Sequence, residues 1–261
     1  MVYLPVNTLL LALAAPLANQ GIATNSFNLA ARATHQLGGG VPLRVMPLGA
    51  SITYGQASTD GNGYREDLRA QLVAAGNPVN MVGSRQHGKM RDNDVEGWPG
   101  FRIEQVRAKA LASASVPKWK PNVVLINAGT NDAAQNFSVG TAGARMERLI
   151  RDVLAASPRA VIVLSTLLVN KKPATEVNVL AINRQYGDIA RKLRAEGKHL
   201  VLVDMHSDNG PTLADLSDST HPNDLGYSKM ANIWFAGIVA ASDAGWLQAP
   251  EFVPGVPDDG A

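Results

Sequence analysis

Five short apolar runs punctuate the chain: "LRVMPLG" (43–49), "PVNMVGS" (78–84), "NVVLINAG" (122–129), "AVIVLST" (160–166) and "LVLVDM" (200–205). They are rich in β-branched residues and lack strict apolar–polar alternation. That is the pattern of parallel strands covered on both faces. Between them the period changes to that of helices. Met146, Leu149, Ile150, Val153 and Leu154 fall at i, i+3, i+4, i+7 and i+8, and Ile182, Tyr186, Ile189, Ala190 and Leu193 form a second stripe of the same kind. The segment "GYREDLRAQLVAAG" (63–76) ends on glycine, a common helix stop, and "LGYSKMANIWFAGIVAAS" (225–242) is the last helical stretch.

Strands alternating with helices predict an α/β domain: a three-layer α/β/α sandwich around a five-stranded parallel sheet. It is expected over residues 41–247, after a linker at 24–40 that ends in "LGGG" (37–40). The tail "QAPEFVPGVPDDGA" (248–261), dense in Pro, Gly and Asp, is expected to be disordered. There is no internal repeat and no sign of a second domain.

Residues 1–31 carry no charged side chain, and "TLLLALAAPLA" (8–18) is a short apolar run followed by small and polar residues. Eleven residues are too few to span a bilayer, which takes about 20. They fit the apolar core of a secretory signal, so residues 1–23 are expected to be a signal peptide cleaved after Ala18 or Ala23, and the protein to be secreted. The sequence has no cysteine, which excludes disulfides, thiolate catalysis and cysteine metal sites. The net charge of +2 comes with no basic cluster of the kind that holds nucleic acid. The one compact basic run, Lys171-Lys172, reads as a solvated loop.

Ligands of open parallel sheets bind outside the carboxyl ends of the strands, so the residues that follow each strand matter most. The first strand runs into Gly49-Ala50-Ser51 and the third into Gly129-Thr130-Asn131-Asp132. The second leads to a long loop containing Glu96-Gly97-Trp98-Pro99-Gly100, and the fifth to Asp218-Ser219-Thr220-His221-Pro222. A serine hydroxyl is a weak nucleophile unless a base takes its proton, a third group orients the base, and donors receive the oxyanion. These segments bring such residue types to one edge. In the strand order 2-1-3-4-5 the first and fifth strands stand three spacings apart, about 14 Å. The stretch from Met205 to His221 reaches about 50 Å when extended.

The four segments, in this order, resemble the blocks of the SGNH hydrolases, also called GDSL-type esterases, and span residues 43–227. The resemblance implies a flavodoxin-like fold and a serine esterase. Ser51 would be the nucleophile, His221 its general base and Asp218 the group that orients the imidazole. The backbone N–H groups of Ser51 and Gly100 and the side-chain amide of Asn131 would form the oxyanion hole. One position departs from the family: Ala50 stands where an aspartate is usual. The stretch "EGWPGFRI" (96–103) is similar to that of the acetylxylan-esterase branch, with Trp98 in place of a histidine.

The resemblance therefore implies hydrolysis of short acyl esters, acetyl above all, on a plant polysaccharide such as xylan, by a monomer. No cofactor, metal, nucleic acid or membrane span is implied. A lipase or lysophospholipase of the same superfamily and a non-catalytic carbohydrate-binding relative are the alternatives. Trp98 and Phe101 flank Gly100 and are candidates for the wall of a substrate pocket, or for packing beneath the loop. Asn136-Phe137-Ser138 is an N-glycosylation sequon. "DNDVEG" (92–97) imitates the start of a calcium-binding loop, but Ile103 occupies the position of its bidentate glutamate. His35, His87, His199 and His206 have no comparable set of partners in the sequence and read as structural or exposed.

Overall fold

The computed structural model describes residues 36–260, so the expected signal peptide and most of the expected linker lie outside the described residues. The long strands are β1 (Leu43–Gly49), β5 (Val123–Asn127), β6 (Val161–Ser165) and β7 (Leu200–Val203). They are almost wholly buried, which is why their sequences show no alternation. The alternation lies in which face each side chain meets. Met46, Leu48, Val124, Ile126, Ile162 and Leu164 enter one apolar core. Their neighbours Val45, Val123, Leu125, Val161 and Val163 enter the other. Two cores, one on each face of a sheet, make the three-layer sandwich.

Helices α3 (Ile103–Ala110), α6 (Ala142–Ala156) and α7 (Pro173–Ala195) bury their stripes in the first core. Helices α2 (Arg65–Ala74) and α8 (Asp224–Asp243) do so in the second, where Tyr64 meets Trp234 with ring centres 5.7 Å apart. Three one-turn helices complete the set: α1 (Ser51–Tyr54), α4 (Val116–Trp119) and α5 (Thr130–Ala134).

Among the described residues the sheet has seven strands rather than five. β2 (Val79–Met81) pairs with the first half of β1, and β4 (Asp94–Gly97) pairs with its second half, on the same edge. The strand expected over 78–84 ends at Met81; two residues on, a Cβ on Gly83 would lie 2.2 Å from the backbone carbonyl carbon of Val95. Across the sheet the positions still follow the 2-1-3-4-5 order, with β2 and β4 sharing the outer one. The antiparallel partner of β4 is β3 (Arg85–Gln86). These two strands are too short and too polar for an apolar run to mark them.

Both ends of the domain extend past their expected limits. Leu37 is buried and exchanges hydrogen bonds with the Asn77 side chain, at 3.0 and 2.8 Å. Residues 248–260 form neither helix nor strand, yet they are tied to the amino ends of the strands, contrary to the disorder expected of them. Arg44 donates to the Glu251 carbonyl and pairs with Asp258, Asn122 donates to the Gln248 carbonyl, and Arg69 donates to the Asp259 carbonyl. Buried Arg44 also donates to the Trp119 carbonyl, so the tail supplies acceptors that a guanidinium beneath the sheet requires. Among the described residues no helix is long and apolar enough to cross a membrane.

Candidate active site

β1 ends on a glycine for a packing reason. A Cβ on Gly49 would stand 2.2 Å from both the Asn127 carbonyl oxygen and Thr53 Oγ1. The Gly49 carbonyl accepts from Trp98 N at 3.0 Å, which fixes the long loop against the strand end. Ala50 is buried, with its carbonyl accepting from Tyr54 N. Ser51 then opens α1 with its side chain at the carboxyl edge of the sheet.

The Asp218–His221 segment is a tight turn closed by a bridge between Leu216 and Pro222 and by Ser217 N donating to the His221 carbonyl at 2.8 Å. Asp218 Oδ1 accepts from the backbone N–H groups of Thr220 and His221, both at 2.7 Å, while Oδ2 lies 2.7 Å from His221 Nδ1. The carboxylate therefore builds the turn and holds the ring at once. An ionised carboxylate can only accept, so Nδ1 carries the proton and Nε2 is left to accept. Nε2 lies 2.9 Å from Ser51 Oγ. Partial burial of Asp218 opposes its ionisation, but the hydrogen bonds from the ring and the two N–H groups win and hold its pKa at about 2.

This turn is braced from outside. Lys171 N donates to the Ser219 carbonyl at 3.0 Å, Lys171 Nζ to the Leu216 carbonyl at 2.8 Å, and Asn170 Nδ2 to Thr220 Oγ1 at 3.0 Å. Lys171 is exposed, as a solvated loop residue should be, but it has this further attachment. Behind it, Glu176 accepts from Asn170 N at 2.7 Å and meets His206 Nε2 at 2.6 Å. His206 thus has a carboxylate partner that no sequence spacing revealed. His87 stacks on Tyr54 and His199 on Trp246, while His35 lies outside the described residues.

Asn131 sits in α5, directly after Gly129, whose φ of +118° only glycine adopts readily. Its Nδ2 donates to the Phe101 carbonyl at 2.9 Å. An amide nitrogen has two hydrogens, so one fixes the side chain and one remains for an oxyanion. Gly100 lies in the same seam, in a turn closed by Phe101 N donating to the Trp98 carbonyl at 3.1 Å. With Pro99 before it and φ at +82°, Gly100 occupies the third position of a type II turn. A Cβ there would meet nothing within 4 Å. Glycine is required there by the backbone angle.

Sequence reasoning missed the pair that holds this seam. Asp132, fully buried, accepts from Ile103 N at 3.1 Å and forms an ion pair with Arg145. One carboxylate thereby joins the Asn131 helix to the loop bearing Gly100. A signal existed: Arg145 stands at i−4 from Leu149, on the buried face of α6, where an arginine demands a partner.

Trp98 and Phe101 stack with ring centres 5.6 Å apart. The indole N–H donates at 2.7 Å to buried Glu96, which also accepts from Ser84 N and Oγ. Arg85 and Lys109 stand 4.6 and 4.2 Å from the Trp98 ring centre. The carboxylates of "DNDVEG" are directed to separate partners: Asp92 to Arg69 and Met81 N, Glu96 to Ser84 and Trp98. Asn136 is exposed, with φ at +49°, and its Oδ1 accepts from Asn178 Nδ2 at 3.2 Å.

Such an edge, with a serine hydrogen-bonded to a carboxylate-held imidazole, is the equipment of an ester hydrolase. Comparison with known proteins gives the particular family. Residues 48–229 match the GDSL-like lipase/acylhydrolase family, and the chain belongs to it. A multidomain esterase of Ruminococcus flavefaciens is 27% identical over 230 residues, covering 77% of this chain and 29% of that protein. The chain thus spans less than a third of that relative. Among solved structures, a Clostridium thermocellum family 3 carbohydrate esterase aligns with a TM-score of 0.68 at 24% identity, over 77% of this chain and 98% of its own. A family 3 carbohydrate esterase from Talaromyces cellulolyticus gives 0.66 at 22% identity, over 77% and 99%. At these identities the structures share the fold.

Proposed function

We propose that the protein is a secreted serine esterase that removes short acyl groups, acetyl foremost, from plant polysaccharide such as xylan. The observation that carries the reading is the unbroken chain from Ser51 Oγ through His221 to Asp218. Ser51 Oγ attacks the ester carbonyl as His221 Nε2 takes its proton, and the carbonyl electrons move onto oxygen. Asn131 Nδ2, Gly100 N–H and Ser51 N–H receive that oxyanion. The tetrahedral species collapses, the C–O bond to the alcohol breaks, and His221 gives its proton to the leaving oxygen. Water, deprotonated by His221, then releases the acid from the acyl-enzyme. No cofactor enters this scheme.

The carbohydrate part of the reading is supported by the family 3 carbohydrate esterases among the fold's neighbours and by the "EGWPGFRI" stretch. Secretion is supported by the uncharged, apolar start of the chain. The deciding experiment measures acetate release from acetylated xylan and hydrolysis of nitrophenyl acetate, butyrate and octanoate, with Ser51→Ala as control. Preference for octanoate over acetate would replace the deacetylase reading with a lipase one. Equal rates in the parent and Ser51→Ala would remove the serine mechanism.

A further inference from the structure

The elements that hold Asn131 and brace the His221 turn also border an open cleft of about 390 Å³. Ala133, Ala134 and Asn136 line one side, from α5 and its exit, while Ala174, Val177 and Asn178 line the other, from the first turns of α7. Ala134 lies three residues after Asn131, on the same face of α5, which puts their Cβ atoms about 5–6 Å apart. On the opposite side, the chain enters α7 directly from Asn170 and Lys171, the residues bonded to Ser219 and Thr220. The cleft is therefore flanked by the expected oxyanion residue and by the support of the imidazole turn.

We infer that this cleft is the subsite for the alcohol portion of the ester and that it takes a neutral glycosyl unit. The inference rests on the carbohydrate-ester reading above and adds where the sugar binds. His221 must hand its proton to the leaving alcohol, so that portion of the substrate lies on the imidazole side of the scissile bond. The lining suits a sugar ring in three respects. Alanines at three positions leave the space open. Half-exposed and exposed apolar groups, Val177 among them, offer a surface to ring C–H groups.

The third respect is the pair of amides. Asn178 Nδ2 donates to the Ala133 carbonyl at 2.9 Å and to Asn136 Oδ1 at 3.2 Å. Both side chains are thereby fixed, and among the described residues one donor (Asn136 Nδ2) and one acceptor (Asn178 Oδ1) have no protein partner. A hydroxyl both donates and accepts, so neighbouring hydroxyls of a glycosyl unit satisfy this pair. An alkyl chain would bury it unpaired. No charged side chain lines the cleft, which favours a neutral sugar over an acidic one.

The test compares the parent with Ala174→Trp, which fills the cleft, and Asn178→Ala, which removes its acceptor. Each is assayed on an acetylated xylo-oligosaccharide and on nitrophenyl acetate, which has no glycosyl part. The ratio of the two kcat/KM values should fall about tenfold in each variant, through a higher KM for the oligosaccharide. Nitrophenyl acetate turnover also reports that the variants are folded. An unchanged ratio in both variants, with the parent active on the oligosaccharide, overturns the subsite and leaves the deacetylase reading intact. A parent active on nitrophenyl acetate but not on any acetylated saccharide overturns both. A glycan found by mass spectrometry on Asn136 of the secreted protein would occupy the same cleft and would also overturn it.

Discussion

His221 Nε2 lies 2.9 Å from Ser51 Oγ, although 170 residues separate the two in sequence. The ring is directed by a carboxylate only three residues away in its own turn. The two halves of the relay therefore differ in kind: Asp218 and His221 form a local unit, and Ser51 reaches it only through the sheet. Ser51→Ala and His221→Ala should each lower kcat by about 10⁶, and the double variant should lose little more, because the two act as one device. Asp218→Ala should cost less, about 10³–10⁴, since its side chain is half exposed and water can reach the imidazole. Burst kinetics with nitrophenyl acetate would measure all four. Additive losses in the double variant would contradict a shared step.

The acid side of the pH profile follows from Asp218. Its pKa is depressed to about 2 from an ordinary 3.8, so its hold on the turn is complete above about pH 4 and is lost as the pH falls through 2. Between pH 8 and 4 Asp218 thus stays ionised and contributes no proton step to the acid limb of log kcat/KM. A loss of activity above pH 4 that Asp218→Asn abolishes would show that the carboxylate titrates there.

Asn131 and Asp132 should separate charge stabilisation from scaffolding. Asn131→Ala removes a donor to charge that exists only in the transition state, so kcat should drop about 10²–10³ with KM nearly unchanged and with the same loss for acetyl and butyryl esters. Asp132→Asn leaves Arg145 buried without its anion, which should cost about 3–5 kcal/mol of stability. It also weakens the tie to Ile103 N. Urea unfolding and kcat measured together would show both effects. A stable Asp132→Asn with full activity would dismiss the pair as the support of the seam.

Trp98 is, with Phe101, a candidate pocket residue, and its contacts allow a sharper test than its sequence position did. Trp98→Phe keeps a ring beside Phe101 but deletes the donor to Glu96 Oε1. Leaving a buried carboxylate short of one hydrogen bond should cost about 1–3 kcal/mol. If the ring also walls the acyl pocket, Trp98→Ala should change the acetyl-to-butyryl preference as well, by about 1–3 kcal/mol per misfitted methylene. Lost stability with an unaltered preference would assign Trp98 to packing alone.

The sequence by itself determined the layers, the parallel part of the sheet and the strand ends near which the candidate residues Ser51, Asp218 and His221 stand. Those features are written in local signals: apolar runs of strand length, helical stripes, and polar residues placed just after strands. The Asp218–His221 unit is local as well, because a three-residue spacing suffices to close it. Tertiary structure alone decided the features that depend on partners distant in the chain. The edge of β1 is divided between β2 and β4, and Gly83, which follows β2, passes so close to the Val95 backbone that no Cβ fits there. The tail, polar and rich in proline, is placed by acceptors that the buried Arg44 requires and by a further bond from the partly buried Arg69. The Asp132–Arg145 pair and the Asn170–Lys171 brace leave only faint traces in sequence. A hydrogen bond between groups dozens of residues apart has no period, and only the packing of the layers brings its two ends within 3 Å.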